Sequence, residues 1–458
     1  MNPHGMGEHD MGEHDHAKGF LPIPAHGDYR LDNARVPHCM LSAGGVKPDA
    51  AGLCHVDLVI RHGRILGMTP SGTSAHETDL PVIDLHGALV MPRLVDIHTH
   101  LDKGFIWNRA PNPDGTFPGA LDTAERDREA NWDAQDLARR MDFGLRCALA
   151  HGTGAIRTHL DSIGKQTGIS WPVFAELRET WRDVITLQAT SLFLLDDILE
   201  KEDAFAQVVE TTARYEGQLG GVTFAGHAPD ARTDAALDML FKAAIRHGLD
   251  LDLHVDESDS HHARTLERVA DAAIRHRFPN RILCGHCCSA SLMEEGDLDR
   301  LIDKLARAGI AVVSLPMCNM YLQDRASGRT PRWRGIAPVQ EFRTAGIPVM
   351  FASDNTRDPF YAYGDLDLIE VFCEATRIAH LDHGEGDWLR SISGTPATIM
   401  NLDRAGRIES GDPADLLILR ARSMNELLSR PRGDRMVLLG GRPTSTTPPP
   451  YDELDMIA

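Results

Sequence analysis

Eight short apolar runs that alternate with amphipathic stretches between residues 92 and 404 predict an α/β fold, a (β/α)8 barrel. Two sets of short alternating segments, one on each side of that span, predict a small β-sandwich domain assembled from both ends of the chain. A third observation separates the barrel from an open, doubly wound sheet: no glycine-rich phosphate turn follows an early strand.

At 458 residues the chain is too long for one simple core and long enough for one large barrel with a satellite. Residues 1–27 contain the near-repeat MGEHD-MGEHDH, whose His, Gly and acidic content cannot bury a core, so a disordered tail is expected there. Short alternating segments follow at 57–61, 64–67, 82–85 and 89–91. The same texture returns at 407–408, 416–419 and 436–439, around the turn residues Gly411, Asp412 and Pro413. The expected division is therefore 28–91 plus 405–458 as the small β domain and 92–404 as the barrel. Within the barrel, strands are expected at 94–98, 155–158, 185–189, 221–225, 249–254, 281–284, 310–315 and 348–352. The stretches 134–150, 234–247, 263–276 and 298–308 between them carry apolar residues at three- and four-residue spacing and often end in Gly, as amphipathic helices do.

Composition narrows the function. Forty-seven Lys and Arg against 67 Asp and Glu give a net charge of −20, which argues against a nucleic-acid backbone or an anionic membrane as the partner. There is no 18-residue apolar run and no leader with a basic start and an apolar middle, so a soluble, cytoplasmic protein is expected. Of eight cysteines only Cys284, Cys287 and Cys288 cluster. No second close pair completes a zinc knuckle, so these are read as reduced cysteines at a buried strand end.

Active sites of such barrels lie at the C-terminal ends of the strands, and the polar residues gather there. The first strand ends in His98 and His100, which share a face because strand side chains repeat with period two. The fifth ends in His254, followed by Asp256 and Glu257; the sixth runs into His286 and the eighth into Asp354. One divalent metal ion, Zn or Fe, held by His98, His100, His254 and Asp354 would have nitrogen and oxygen ligands with a position left for water, as catalytic sites do. Water bound there falls to a pKa of about 7 and supplies hydroxide at neutral pH.

The stretch from Met91 to Lys103, MPRLVDIHTHLDK, resembles the first-strand signature of the amidohydrolase superfamily. HTHLDK, RTHLDS (157–162), LQATS around Gln188, HVDE (254–257), GHC (285–287), the stretch 319–335 ending in RWRG, and SDNTRDPF (353–360) are similar in order and spacing to its cytosine deaminase branch. HTHLDK is also similar to the hydrolases that strip amines from s-triazine rings. The resemblance implies a TIM barrel and a metal-dependent hydrolytic deaminase of a small aminated N-heterocycle, such as a cytosine-like pyrimidine, a pterin or a related lactam ring. It implies His98, His100, His254 and Asp354 as metal ligands, Glu257 as the proton shuttle, His286 as the histidine facing the attacking water, and Gln188 as the amide that reads the ring. These roles fit the chemistry: Asp354 can take the water's proton, Glu257 can protonate a ring nitrogen and the leaving amine, and Gln188 offers a donor and an acceptor side by side.

Two positions depart from the pattern. Asn355 stands where cytosine deaminases tend to have a second aspartate, and Phe360 where a larger aromatic is usual; both are expected to touch the substrate, and the departure leaves its identity open, with a preference for a ring substituent different from cytosine's. His159 and Asp161 are read as supporting or pocket-wall residues. Lys103 stays open between a substrate contact and an ion pair, and Arg332, Trp333 and Arg334 between a carboxylate reader and plain surface.

Other readings are weighed by what is missing. A ring-opening cyclic amidase with two metals would want a lysine at the fourth strand end, and 221–227 has none. A zinc deaminase acting on flipped bases needs P-C-x-x-C after its H-x-E; only the H-x-E occurs, at 383–385. A catalytically dead metal-binding scaffold would not keep ligands, shuttle and amide together. A small heterocycle is thus the expected partner, with neither nucleic acid nor membrane, and a homo-oligomer stays open.

Overall fold

The computed structural model describes residues 20–42, 45–73, 79–223, 226–383 and 387–457. The expected tail lies outside the described residues up to position 19, and its last part is packed: Leu21 and Ile23 are buried in the core of the first sheet. The apolar pentapeptide FLPIP supplies the surface that the His-rich repeat lacks. The H-x-E at 383–385 also falls largely outside the described residues.

The chain opens with β1 (Tyr29–Pro37), β2 (Leu53–Arg61), β3 (Arg64–Pro70), β4 (Val82–Asp84) and β5 (Leu89–Pro92). In β1 the buried set changes phase, from Tyr29 and Leu31 to Ala34 and Val36. A bulge between Leu31 and Ala34, where Asn33 takes a φ of 58°, makes the change, so both halves of the strand face one core.

Seven strands follow: β6 (Leu94–Thr99), β7 (Thr153–Asp161), β8 (Thr186–Leu192), β9 (Leu251–Val255), β10 (Ile282–His286), β11 (Ile310–Ser314) and β12 (Val349–Phe351). The chain closes with β13 (Leu416–Leu419), β14 (Arg435–Leu439) and β15 (Arg442–Pro443). β13 pairs antiparallel with β5, Leu417 opposite Met91, so the two ends of the chain share one sheet. Its order is β15-β14-β13-β5-β1-β2-β3, with β4 beside β1.

The middle strands form two parallel sheets, β6-β7-β8 and β12-β11-β10-β9. Isolated parallel bridges join their edges. Thr99 of β6 pairs with Asp354 beyond β12, and the segment 218–222 spans the gap between β8 and β9 through Thr190–Gln218, Leu194–Val222, Leu219–Leu251 and Val222–His254. The strand expected at 221–225 is thus replaced by a bridging segment that begins earlier, with residues 224 and 225 outside the described set. Gly220 gives the reason: a Cβ there would stand 2.1 Å from the carbonyl oxygen of Ser191 and 2.8 Å from that of Asp252. The backbone is squeezed between both neighbours, which leaves no room for a regular pleat.

Helices cover the outer faces of the parallel strands, among them Ala134–His151, Ala231–His247, Thr265–His276 and Glu295–Ala308, close to the expected ranges. Alternation sorts the side chains. Leu251, Leu253 and Val255 of β9 pack with Leu237, Leu240, Phe241, Leu266 and Val269 of the helices, so Asp252 and His254 point the other way. On that inner face Val95, Ile97, Ala155, Leu283, Ala311, Val313, Met350 and Ala352 form a separate apolar cluster with Ala397 and Met400. No helix among the described residues is long and apolar enough to cross a membrane.

Candidate active site

The polar residues expected at the strand ends meet above that inner cluster. His98 lies at the end of β6 and His100 directly after it, His254 belongs to β9, His286 ends β10 and Asp354 follows β12; all five are buried. Nε2 of His254 lies 3.1 Å from Nε2 of His100. Oδ1 of Asp354 lies 3.2 Å from Nε2 of His100 and 3.5 Å from Nε2 of His98. Ligand atoms that share one metal at about 2.1 Å stand roughly 3.0–3.4 Å apart, which is this spacing.

Unsatisfied atoms give the same answer energetically. Both oxygens of Asp354 and Nε2 of His98 are buried without a hydrogen-bond partner. Each such orphan costs about 1–3 kcal/mol. A cation satisfies the carboxylate and the imidazole lone pairs together, so the donor set fits a metal ion. Burial, then Lys103, pushes His100 down to about 4. Burial, followed by neighbouring imidazoles, holds His254 and His159 well below the usual histidine range, so these rings stay neutral, the form that binds metal. Burial opposes the charge on Asp354, but His100 and His98 beside it hold its carboxyl well below the usual range.

Backbone strain marks the same place. His286 (φ 67°), Cys287 (φ 52°), Asp354 (φ 61°) and Asp256 (φ 50°) all adopt left-handed conformations without being glycine. Each costs on the order of 1–2 kcal/mol, which the surrounding packing must offset. Gly285 precedes His286 because a Cβ there would meet the His98 ring at 2.9 Å.

Glu257 follows Asp256, whose carboxylate accepts from the backbone N–H groups of Thr265 (2.9 Å) and Leu266 (2.9 Å) at the start of the next helix. That clamp turns Glu257 toward the cluster. Its Oε1 lies 3.3 Å from Nδ1 of His286 and accepts from Nδ2 of Asn319 at 3.0 Å. Burial, then the negative charge of Asp354, raises the Glu257 carboxyl well above its usual range, which favours its protonated form.

Not every expected residue joins the group in the expected way. Gln188 has both ends of its amide engaged: Oε1 accepts from Arg157 (2.8 Å), and Nε2 donates to the carbonyl of Met400 (2.8 Å). The donor and acceptor expected to read a ring are spent on a buried network that continues through Arg157 to Asp252 (3.1 Å). Asn355 lies next to Asp354, donates to Asp358 at 2.7 Å, and accepts a weak bond from Cys318. Phe360 is buried against Phe117, Cys318 and Leu322. Lys103 is an ion-pair residue, buried against Asp161, which also takes Arg128 at 3.0 Å. Arg334 donates to the carbonyl of Ile378, and Trp333 donates to Ser291 at 3.1 Å, so this stretch ties loops together.

His159, expected as a supporting residue from the RTHLDS motif, stands with Nε2 3.1 Å from Nδ1 of His98. One participant was missed from the sequence. Asn319 opens the RWRG stretch, yet an asparagine in a helix carries no metal or acid signature of its own. The cysteines fall as expected: Cys284, Cys287 and Cys288 are buried and free.

Comparison with known proteins follows the same outline. The chain is 48% identical to a pterin deaminase of Rhizobium rhizogenes over 439 residues, 96% of this chain and 98% of that one. It is 26% identical to an N-isopropylammelide isopropyl amidohydrolase of a Pseudomonas species, over 74% of this chain and 82% of the relative. Its fold superposes on the crystal structure of 5-methylcytosine deaminase from Klebsiella pneumoniae with a TM-score of 0.75, at 23% identity, covering 90% of this chain and 96% of that one. Residues 199–444 match the profile of the amidohydrolase family. With the His/Asp cluster at the strand ends and a close relative along nearly its whole length, the chain belongs to the amidohydrolase family.

Proposed function

We propose that this chain is a metal-dependent hydrolytic deaminase of pterins, exchanging the exocyclic amine of a 2-amino-4-oxopteridine for oxygen and releasing ammonia. The observation that carries this reading is the 48% identity to pterin deaminase along 96% of the chain. The buried His/Asp cluster beside the Glu257 carboxyl, whose burial and Asp354 neighbour favour its protonated form, supports it. We read the two parallel sheets and the segment that bridges them as one (β/α)8 ring over 92–404, and the first sheet as a small sandwich of 28–91 with 405–458. Eight free cysteines support a place in the reducing cytoplasm.

In this reading His98, His100, His254 and Asp354 hold one divalent ion, Zn or Fe. Such an ion supplies a Lewis acid that makes water nucleophilic at neutral pH. Asp354 accepts a proton from the attacking water as its oxygen bonds to the ring carbon that bears the amine. Glu257 gives its proton to the adjacent ring nitrogen, takes up the second proton of the water and delivers it to the amine. The carbon–nitrogen bond breaks and ammonia leaves. Asp354 returns its proton to Glu257, replacing the one given to the ring nitrogen, so that one water hydrogen restores the acid, the other leaves in ammonia, and the oxygen stays as the new carbonyl. Asn355 and Phe360 belong to the substrate wall.

The test is ammonia release from pterin, cytosine and isocytosine, and isopropylamine release from N-isopropylammelide, by zinc- or iron-loaded protein, beside chelated protein. Metal-dependent turnover of pterin is expected, with formation of the 2-oxo product. Turnover confined to another ring, or none in metal-loaded protein, overturns the proposal.

A further inference from the structure

We infer that Asn319 is a positioning residue that sets which nitrogen of His286 carries the proton and which way the Glu257 carboxyl faces. The inference rests on the deaminase reading for its consequence, and on geometry for its content.

Asn319 lies on the short helix Pro316–Leu322, directly after β11. Its backbone is fully engaged: its N–H donates to the carbonyl of Leu315 at 3.0 Å and its carbonyl accepts from Gln323 at 2.8 Å. Its side chain is completely buried. Nδ2 sits between two groups of the site, 3.0 Å from Oε1 of Glu257 and 2.9 Å from Nδ1 of His286. An amide nitrogen donates only, so both of those atoms must accept. For Glu257 that fixes Oε1 as the accepting oxygen and leaves Oε2 free of the amide. For His286 it leaves the proton on Nε2, the atom that is buried without a partner.

The opposite amide orientation has a different consequence. With Oδ1 turned to the pair, His286 would carry its proton on Nδ1, and Glu257 would spend its proton on the amide oxygen. The acid would then be tied up and Nε2 of His286 would present a lone pair to the reacting water. Asn319 thus selects between a working and an idle arrangement through its contacts to Glu257 and His286.

The experiment is long-range 15N–1H NMR of the histidine rings in zinc-loaded, full-length protein, with the His286 signals assigned by their loss in His286→Asn. Wild type is expected to show His286 protonated on Nε2. Asn319→Asp, an isosteric acceptor, is expected to move that proton to Nδ1 and to lower kcat about 100-fold with KM unchanged. Asn319→Ala, which only deletes the donor, is expected to give mixed tautomers and an intermediate kcat. Wild-type His286 protonated on Nδ1 overturns the inference without any variant, as does an unchanged tautomer in a folded, zinc-bound Asn319→Asp protein. Failure of the pterin reading would appear instead as absent ammonia release by wild type, with the tautomer result standing.

Discussion

Nε2 of His159 on β7 lies 3.1 Å from Nδ1 of His98 on β6, so one buried histidine orients another, and the same Nε2 lies 3.7 Å from Oδ1 of Asp252. A histidine that binds metal through one nitrogen is aimed by the hydrogen bond at the other. Replacement of His159 by Phe keeps an aromatic ring and removes that bond. Metal affinity is expected to fall about 10–100-fold, read by competition with a chromogenic chelator. Unchanged affinity would mean that packing alone aims His98.

Glu257→Gln keeps the shape of the proposed acid and removes its proton. Ammonia release is expected to drop by about 100- to 10,000-fold while bound metal, measured by elemental analysis, stays at the wild-type level. Joint loss of metal and activity would instead make Glu257 a ligand.

The Gln188 amide separates two roles. Engaged by Arg157 and Met400, it is expected to act on stability: Gln188→Ala should cost about 1–3 kcal/mol in urea unfolding through the unpaired Arg157 groups, with KM for pterin unchanged. A large rise in KM with an unaltered unfolding midpoint would return Gln188 to the substrate pocket.

Asp136 links acid stability to the loop after the first-strand motif. It accepts from Arg140 at 2.7 Å, and the buried Arg140 also donates to the carbonyls of Asp102 (2.6 Å) and Gly104 (3.0 Å). Burial opposes the charge on Asp136, but Arg109 and Arg140 outweigh it and hold its carboxyl below the ordinary 3.8. A depressed carboxylate contributes stability that is present above the unfolded value and is lost as pH falls from there through the folded one. Asp136→Asn should therefore lower stability at pH 7 and flatten its decline below about pH 4. An acid limb as steep as wild type would place the titrating group elsewhere.

Gly285 tests how tightly the site is packed. An alanine there would bring its Cβ to 2.9 Å from the His98 ring. Gly285→Ala is expected to weaken metal binding more than it lowers the melting midpoint, by comparison of both in one sample series. The reverse order would show that the His98 ring yields without disturbing the cluster.

Much of this was legible in the chain itself. His98, His100, His254, His286 and Asp354 each follow an apolar run, and a strand places its end residues by parity, so local pattern alone says that they share one rim. Alternation also located seven of the eight strands within a few residues. The 218–222 segment escaped because its conformation is imposed by the neighbours pressing on Gly220, which no local pattern records. Gln188 was misplaced for a related reason: an amide on a strand reads as a ligand or as a strut, and only Arg157 and Met400, which are 31 and 212 residues away, decide which.

The sequence by itself determined the alternating framework, the return of the C-terminus to the N-terminal strands and the chemical types at the strand ends, because these depend on periodicity and composition. The tertiary structure alone decided that β13 pairs with β5, that His159 backs His98, that Lys103 is spent on Asp161 and that Asn319 joins Glu257 to His286. Those are contacts between residues distant in the chain, and a hydrogen bond depends on an approach within about 3 Å that only the packed fold provides.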